Sequence, residues 1–439
     1  MLLPSGPASQ APQAAPRQAL IWGLATVGKF FEGLIVFMGA LTLPLISAEF
    51  DLQASGRGWL GAASLSGILV GALVFGALAD RVGRRLVFIG ELVLLLGGLL
   101  AASLSPNAVC LGIALVVIGL GLGADYPLAH LMISEHLPGT WRGRLVLGAF
   151  AFQALGALTG MALASAHLHL GTAATDWRLL YQWPLAPLAL LAAARLALPE
   201  SPAWVRQRHQ RRQAATDAPG LLNLLQPPWR RATLLATLPW FLQDLATYGI
   251  GLSLPLLLSG SLAVSDSTAW RSTLVEGGLL LGIAAAILLT DHWGRIPLQI
   301  GGFLGCATGL LLAAAGVALG GDGSTANESA GAARLLLLGL LLFQVMTNLG
   351  PNAQTYLLAG ELFPTPLRGI GAGLAAAAGK VGAVITALLV PVLLEHWGRQ
   401  TLLVVLALSS LAGALVTWVL RIETRGDLQD QLDQRLEGA

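Results

Sequence analysis

Residues 121–144 read GLGADYPLAHLMISEHLPGTWRGR. The stretch begins as an apolar helix, carries Asp125 and Tyr126 inside that helix, and ends in a basic turn at Arg142 and Arg144. A carboxylate at bilayer depth costs roughly 2.5–3.5 kcal/mol on insertion scales, so it is expected to face a cavity and work there. The alternative is a carboxylate that only packs its helix against a local partner. The end of the stretch returns 226 residues later, where Glu135, Pro138, Arg142 and Gly143 recur as Glu361, Pro364, Arg368 and Gly369. A second pattern does the same: Asp80-Arg81-Val82-Gly83-Arg84 recurs 211 residues on as Asp291-His292-Trp293-Gly294-Arg295. Chance can produce one such match. Two, in corresponding turns, point to a chain built from two copies of one unit.

Composition sets the class. Charged residues make up 11% of the chain, against about 25% in a soluble domain. Hydrophobic residues make up 55%, and the mean hydropathy is +0.72. Apolar runs of the roughly 20 residues that span a bilayer recur throughout, so a polytopic, all-α membrane protein embedded in the lipid bilayer is expected. A net charge of +2 without a basic-aromatic patch argues against nucleic acid. Cys110 and Cys306 both lie in apolar runs, so no disulfide framework is inferred. His130, His167 and His169 have no metal-binding spacing, and no metal or cofactor is expected. Without a nucleophile–base constellation, neither is an enzyme. Residues 1–18, rich in Pro, Ala and Gln, read as a disordered cytoplasmic tail. They lack the order of a cleaved signal peptide, so the first span would itself direct insertion.

Twelve spans are expected, at 20–47, 59–79, 86–105, 108–134, 145–167, 179–198, 232–259, 272–290, 297–320, 334–360, 367–394 and 400–420. The turns after spans 2, 4, 6, 8 and 10 hold Arg81, Arg84 and Arg85; Arg142 and Arg144; Arg206, Arg208, Arg211, Arg212, Arg230 and Arg231; Arg295; and Arg368. The turns after odd-numbered spans hold at most one arginine each. By the positive-inside bias both termini are cytoplasmic. The expected organisation is a six-helix half at 19–202, a cytoplasmic linker at 203–231, a second half at 232–422 and a cytoplasmic tail at 423–439. Two pseudo-symmetric six-helix halves are the architecture of the major facilitator fold, whose substrate site lies at the repeat interface near the midplane.

Three stretches carry a resemblance to the major facilitator superfamily. Gly76-Ala77-Leu78-Ala79-Asp80-Arg81-Val82-Gly83-Arg84-Arg85 resembles its signature turn between spans 2 and 3. Pro199-Glu200-Ser201-Pro202-Ala203-Trp204 resembles the PESPxW stretch of the sugar-porter-like branch. Arg421-Ile422-Glu423-Thr424-Arg425-Gly426 resembles that branch's PETxG end, with the proline replaced. The resemblance implies that the turn residues Asp80, Arg81, Gly83, Arg84, Arg85, Glu135, Arg142, Asp291, Gly294, Arg295, Glu361 and Arg368 are gating elements. Their arginines would pair with helix-end carboxylates and carbonyls in one conformation and release them in the other.

A narrower resemblance is to the phosphate:proton symporter family. It rests on Gly123-Ala124-Asp125-Tyr126-Pro127-Leu128-Ala129 with Ser134-Glu135, and on Glu361-Leu362-Phe363-Pro364-Thr365, Arg368-Gly369 and Gly379-Lys380-Val381-Gly382-Ala383. It implies a secondary active transporter working by alternating access, with an anion and protons as its cargo. The implied phosphate contacts are Tyr126, Gln153, Trp240, Asp244, Tyr248, Asn352 and Lys380. The implied proton-path acids are Glu32, Asp125 and Glu91, with Asp244 joining them through its place at the anion site. The family's second acid on span 1 is Ile35 here, and Lys29 lies outside the family pattern. The localisation implied is a bacterial inner membrane, and a monomer is expected.

The residues themselves add to this. The chain's only lysines, Lys29 and Lys380, both lie inside spans. A desolvated lysine is a point cation suited to an anion or a proton-linked partner. Tyr126, Tyr248, Gln153, Asn352 and Trp240 can donate to phosphate oxygens. Asp244 would repel a dianion unless protonated, which gives a route to proton coupling. Lys29, one turn before Glu32, could instead pair with it and weaken it as a proton carrier. Repeat symmetry places Tyr126 opposite Asn352 and Glu32 opposite Asp244, around one cavity with Lys380 close by. Glu276 reads as a packing or gate residue. No arginine lies at mid-span to clamp an oxyanion in bidentate fashion. An organic substrate such as a carboxylate, aromatic acid or sugar therefore stays open, as does a transporter-fold nutrient sensor.

Overall fold

In lipid a chain must satisfy its backbone hydrogen bonds within each segment, and the apolar runs accordingly fold as helices. The computed structural model describes residues 11–137, 141–169, 177–214, 220–259, 266–320 and 330–424. The first half holds α1 (Ala11–Glu49), α2 (Ala54–Val82), α3 (Arg84–Ser103), α4 (Ala108–His136), α5 (Arg142–His169), α6 (Trp177–Gln182) and α7 (Leu185–Arg195). Two short helices follow, α8 (Pro202–Ala214) and α9 (Leu221–Leu224). The second half holds α10 (Arg230–Ser259), α11 (Asp266–Trp293), α12 (Arg295–Gly320), α13 (Ala330–Leu349), α14 (Pro351–Glu361) and α15 (Thr365–Leu420). Among the described residues, ten segments are long and apolar enough to cross a bilayer.

The helix breaks differ from the expected spans. Span 6 is two helices, α6 and α7, with Pro184 between them. Span 10 is also two, because Pro351 has no N–H to continue α13 and opens α14 instead, after Gly350. Spans 11 and 12, grouped here as α15, are two helices that meet at a break at Gly398, where φ is +75°. Helix α1 already begins at Ala11, inside the stretch read as a disordered tail, since Ala and Gln are good helix formers. Residues 1–10, 215–219 and 425–439 lie outside the described residues, as do Pro138 and the side chains of His167 and His169.

Packing follows the repeat. In the first half α1 packs on α5, α2 on α4, and α3 on α4 and α7; in the second, α10 packs on α15, α11 on α13, and α12 on α13 and α15. Helices α2 and α4 meet along Gly67, Gly71, Gly119 and Gly123, two small-xxx-small pairs that let their backbones nearly touch. Leu86, Leu190 and Leu319 face outward and stand 63%, 74% and 71% exposed, as a lipid-facing surface requires. Polar and charged side chains turn inward. The halves meet along two seams related by the repeat, α2 with α15 and α5 with α11.

Candidate functional site

Each repeated turn motif builds the same charge cluster. In the first half, the Arg84 guanidinium lies 2.9 Å from Asp80 and 3.3 Å from Glu135, and donates to the Ala79 carbonyl at 2.9 Å. In the second, Arg295 lies 3.3 Å from Asp291 and 2.9 Å from Glu361, and donates to the Thr290 carbonyl at 3.3 Å. Hydroxyls join both: Ser201 donates to Glu135, and Thr424 to Glu361.

Glu200 accepts from the Arg84 and Arg85 amides at 2.9 and 3.1 Å, and Glu423 from the Arg295 and Ile296 amides at 2.9 and 3.1 Å. Each carboxylate thus sits at a helix N-terminus, where the free amides and the dipole favour it. The glycine before each helix has positive φ, +120° at Gly83 and +92° at Gly294, and a Cβ there would run into the capping carboxylate. The PESPxW and PETxG stretches therefore act here through Glu200 and Glu423, a role the sequence reading did not assign.

The clusters also latch the halves together. Asp80 accepts from the Gly369 and Ile370 amides at 3.2 and 2.8 Å, Arg84 donates to the Thr365 carbonyl at 3.2 Å, and Arg368 lies 3.2 Å from Glu135. On the other seam, Arg144 lies 3.1 Å from Asp291 and 3.0 Å from the His292 ring. Gly143 and Gly369, equivalent in the repeat, stand where a methyl group would collide with Asp291 and Asp80. Arg85 donates to the Leu196 carbonyl at 2.6 Å. Arg81 is exposed and takes no part in these contacts, and Arg142 opens α5.

Deeper between the halves lies a second set of polar groups. Lys380 donates to Asp244 at 2.7 Å and to the Tyr248 hydroxyl at 3.1 Å, and its ammonium is 5.1 Å from the Tyr126 ring centroid across the interface. Gln153 donates to Glu32 at 2.9 Å and to the Tyr126 hydroxyl at 3.4 Å. Trp240 tilts against Tyr126, centroids 6.2 Å apart, and meets Tyr356 edge-on at 6.4 Å. Asn352 sits beside this group: Gln243 donates to it at 3.4 Å, and it donates to Asn348 at 2.8 Å. Tyr126 and Asn352 both adjoin α10, at Trp240 and Gln243.

The first-half acids Glu32, Glu91 and Asp125 each have a cationic partner. Lys29 donates to Glu32 at 2.7 Å and lies 2.9 Å from Asp125. Arg195 lies 2.5 Å from Glu91 and 3.6 Å from Asp125. Asp125 is thus held between cations of α1 and α7. Glu276 accepts from Gln344 at 2.8 Å.

Two side chains were missed, Arg195 and Tyr356, and a third, His130, was read only for metal-binding spacing. Arg195, fully buried, bridges two acids and stacks on Phe88. It lies three residues from the end of its expected span, where an arginine reads as an interface residue. Tyr356 gathers Lys29, His130, Phe150 and Trp240 around its ring. His130 is buried, and neither ring nitrogen has a hydrogen-bond partner among the described residues. Among the described residues of this central set, three buried cations (Lys29, Arg195, Lys380) face four buried carboxylates (Glu32, Glu91, Asp125, Asp244).

Comparisons with known proteins fit this architecture. The family model described as sugar (and other) transporter matches residues 24–219 and 218–435. The chain is 26% identical to the putative metabolite transport protein YaaU of Escherichia coli, over 93% of each chain. It is 27% identical to the inorganic phosphate transporter PHO84 of Saccharomyces cerevisiae, over 85% of this chain and 75% of that one. Its fold matches a solved structure of the proton:xylose symporter XylE of E. coli at a TM-score of 0.82 and 21% identity, over 96% of this chain and 99% of that one. With two copies of a six-span unit, the turn clusters of both halves and a family match over nearly its whole length, the chain belongs to the sugar (and other) transporter family and has the major facilitator fold.

Proposed function

We propose that the chain carries a small oxyanion, phosphate first, across the membrane together with protons, by exposing the central cluster alternately to the two sides. The observation that carries this reading is the buried pair of Lys380 and Asp244, 2.7 Å apart beside Tyr126. Lys380 is a point cation whose present partner is itself an anion. Protonated Asp244 would no longer compete for it, so a proton raises anion affinity, and by linkage the anion raises proton affinity. The charge balance supports this. Three cations against four carboxylates are net negative when all are ionised, so an anion enters at tolerable cost only with protons.

Tyr126, Gln153, Trp240, Tyr248 and Asn352 supply neutral donors, and Glu32, Asp125 and Glu91 the first-half acids of a proton path. By likeness, PHO84, an inorganic phosphate transporter, supports phosphate, and XylE, a proton:xylose symporter, supports proton coupling. The turn clusters serve as the gate of the arginine-rich end. By the positive-inside bias that end is cytoplasmic, with both termini, in a bacterial inner membrane. A monomer whose halves, 19–202 and 232–422, rock about the site suffices.

One observation favours a second reading. Tyr126, Trp240, Tyr356 and Phe150 form a buried aromatic wall, which suits an aromatic acid better than phosphate. Uptake into proteoliposomes under an inward proton gradient, screened with phosphate, sulfate, benzoate and xylose, separates the two. Gradient-dependent phosphate accumulation is expected. Accumulation of benzoate without phosphate would favour the second reading, and accumulation of none of the four would refute both.

A further inference from the structure

Lys29 has no role in the reading above, yet it is one of the most confined charges in the molecule. It is 0% exposed. Its ammonium lies 2.7 Å from Glu32 on its own helix and 2.9 Å from Asp125 on α4, and Arg195 of α7 lies 3.6 Å from Asp125 in turn. Aromatic faces cover the rest: the Tyr126 centroid is 4.5 Å away and the Tyr356 centroid 5.3 Å. Lys380 addresses the same Tyr126 ring from the other half, at 5.1 Å. The two ammonium nitrogens are therefore no further apart than those two distances to Tyr126 laid end to end.

Two ammonium groups brought this close across a buried interface repel unless each is neutralised. In this structure each is neutralised by acids of its own half, Lys29 by Glu32 and Asp125, and Lys380 by Asp244. We propose that Lys29 is a second anion-holding cation, and that the substrate is a multiply charged oxyanion gripped at Tyr126 by ammonium groups from both halves. This rests on the anion-symport reading and narrows it. An anion with charged oxygens on more than one side, such as hydrogen phosphate or a dicarboxylate, can engage both lysines at once. A monocarboxylate such as benzoate can satisfy one. An anion that holds both lysines also ties the two halves together, which occlusion around a substrate requires. On loading, protons on Glu32 or Asp125 would free Lys29 as a proton on Asp244 frees Lys380.

The chain supplies its own probe, because it has only two lysines. Wild-type protein labelled selectively at lysine gives two side-chain resonances, assigned with Lys29→Arg. Titration with inorganic phosphate is expected to shift both, with one saturation curve, and benzoate to shift one. A companion variant excludes an indirect effect. Lys29→Gln/Glu32→Gln removes cation and acid together and leaves the cluster's net charge unchanged, so a loss of phosphate affinity here that Lys29→Arg does not show tracks the cation. Loss of an anion-holding cation is expected to weaken binding about tenfold or more, the value of one charge-assisted hydrogen bond. If only Lys380 shifts, or the double variant binds like wild type, the role of Lys29 is refuted while anion symport stands. If neither resonance moves with phosphate, sulfate or benzoate, both are refuted.

Discussion

Lys380 and Asp244 meet at 2.7 Å with each side chain 3% exposed, on helices α15 and α10 of the same half. Removing one partner of such a pair leaves an unmatched buried charge, typically at a cost of about 3–5 kcal/mol. Asp244→Asn should therefore insert and fold but melt at lower temperature, and added phosphate should restore part of the loss by binding the freed ammonium. Proton-driven accumulation should disappear. Thermal melts with and without phosphate check this. A variant that melts like wild type and accumulates substrate like wild type would show that Asp244 is not a coupling acid.

The latch between halves includes the two amides that Asp80 accepts from, those of Gly369 and Ile370. Asp80→Ala should raise hydrogen exchange at these amides by about tenfold or more, as one charge-assisted hydrogen bond predicts. Asp80→Asn, which keeps one acceptor, should fall between. Mass spectrometry of peptides spanning residues 366–372 reads this directly. Unchanged exchange in the Ala variant would mean that Asp80 does not hold these amides.

Gly83 and Gly294 should tolerate no side chain. Alanine at φ +120° or +92° carries backbone strain of about 1–3 kcal/mol, before any push against Glu200 or Glu423. Gly90, in the interior of α3, has open space where a Cβ would stand, so Gly90→Ala should be neutral or mildly stabilising. Melting temperatures of the three variants decide. Equal values would remove the strain argument.

How much of this was legible depended on the cost of charge in a membrane. Charged residues are few in this chain, so Asp80, Arg84 and Glu135, in the turns just beyond the spans, stood out against an apolar background, and their return as Asp291, Arg295 and Glu361 disclosed the two-fold build. Partnership was harder to read. Lys29 could be matched in sequence with Glu32, one turn away, but its second acid, Asp125, lies on another helix. Arg195 was not singled out, because depth in the bilayer cannot be counted from a span whose own ends are uncertain. The breaks at Pro184 and Gly350 were obscured because membrane helices often absorb proline, as α4 does at Pro127.

At the end away from the turn clusters, Glu49 closes α1. The Arg178 guanidinium, with help from the Trp177 indole, holds its carboxyl below the usual carboxylate range. An acid whose folded-state pKa is lowered stabilises the fold above its unfolded pKa, about 4, and loses that contribution as pH falls through the lower folded value. The melting-temperature gap between wild type and Glu49→Gln should be steady at neutral pH and close below about pH 4. A gap that instead closes between about pH 6 and 8 would assign the effect to another group.

The central claim is that an anion and protons cross together because Lys380 exchanges Asp244 for substrate. Purified wild-type protein in liposomes with a pH dye inside, and no imposed gradient, tests it most directly. Added phosphate should acidify the lumen while added xylose does not. Phosphate that enters with no change in internal pH, or acidification driven by xylose and not by phosphate, would contradict the account.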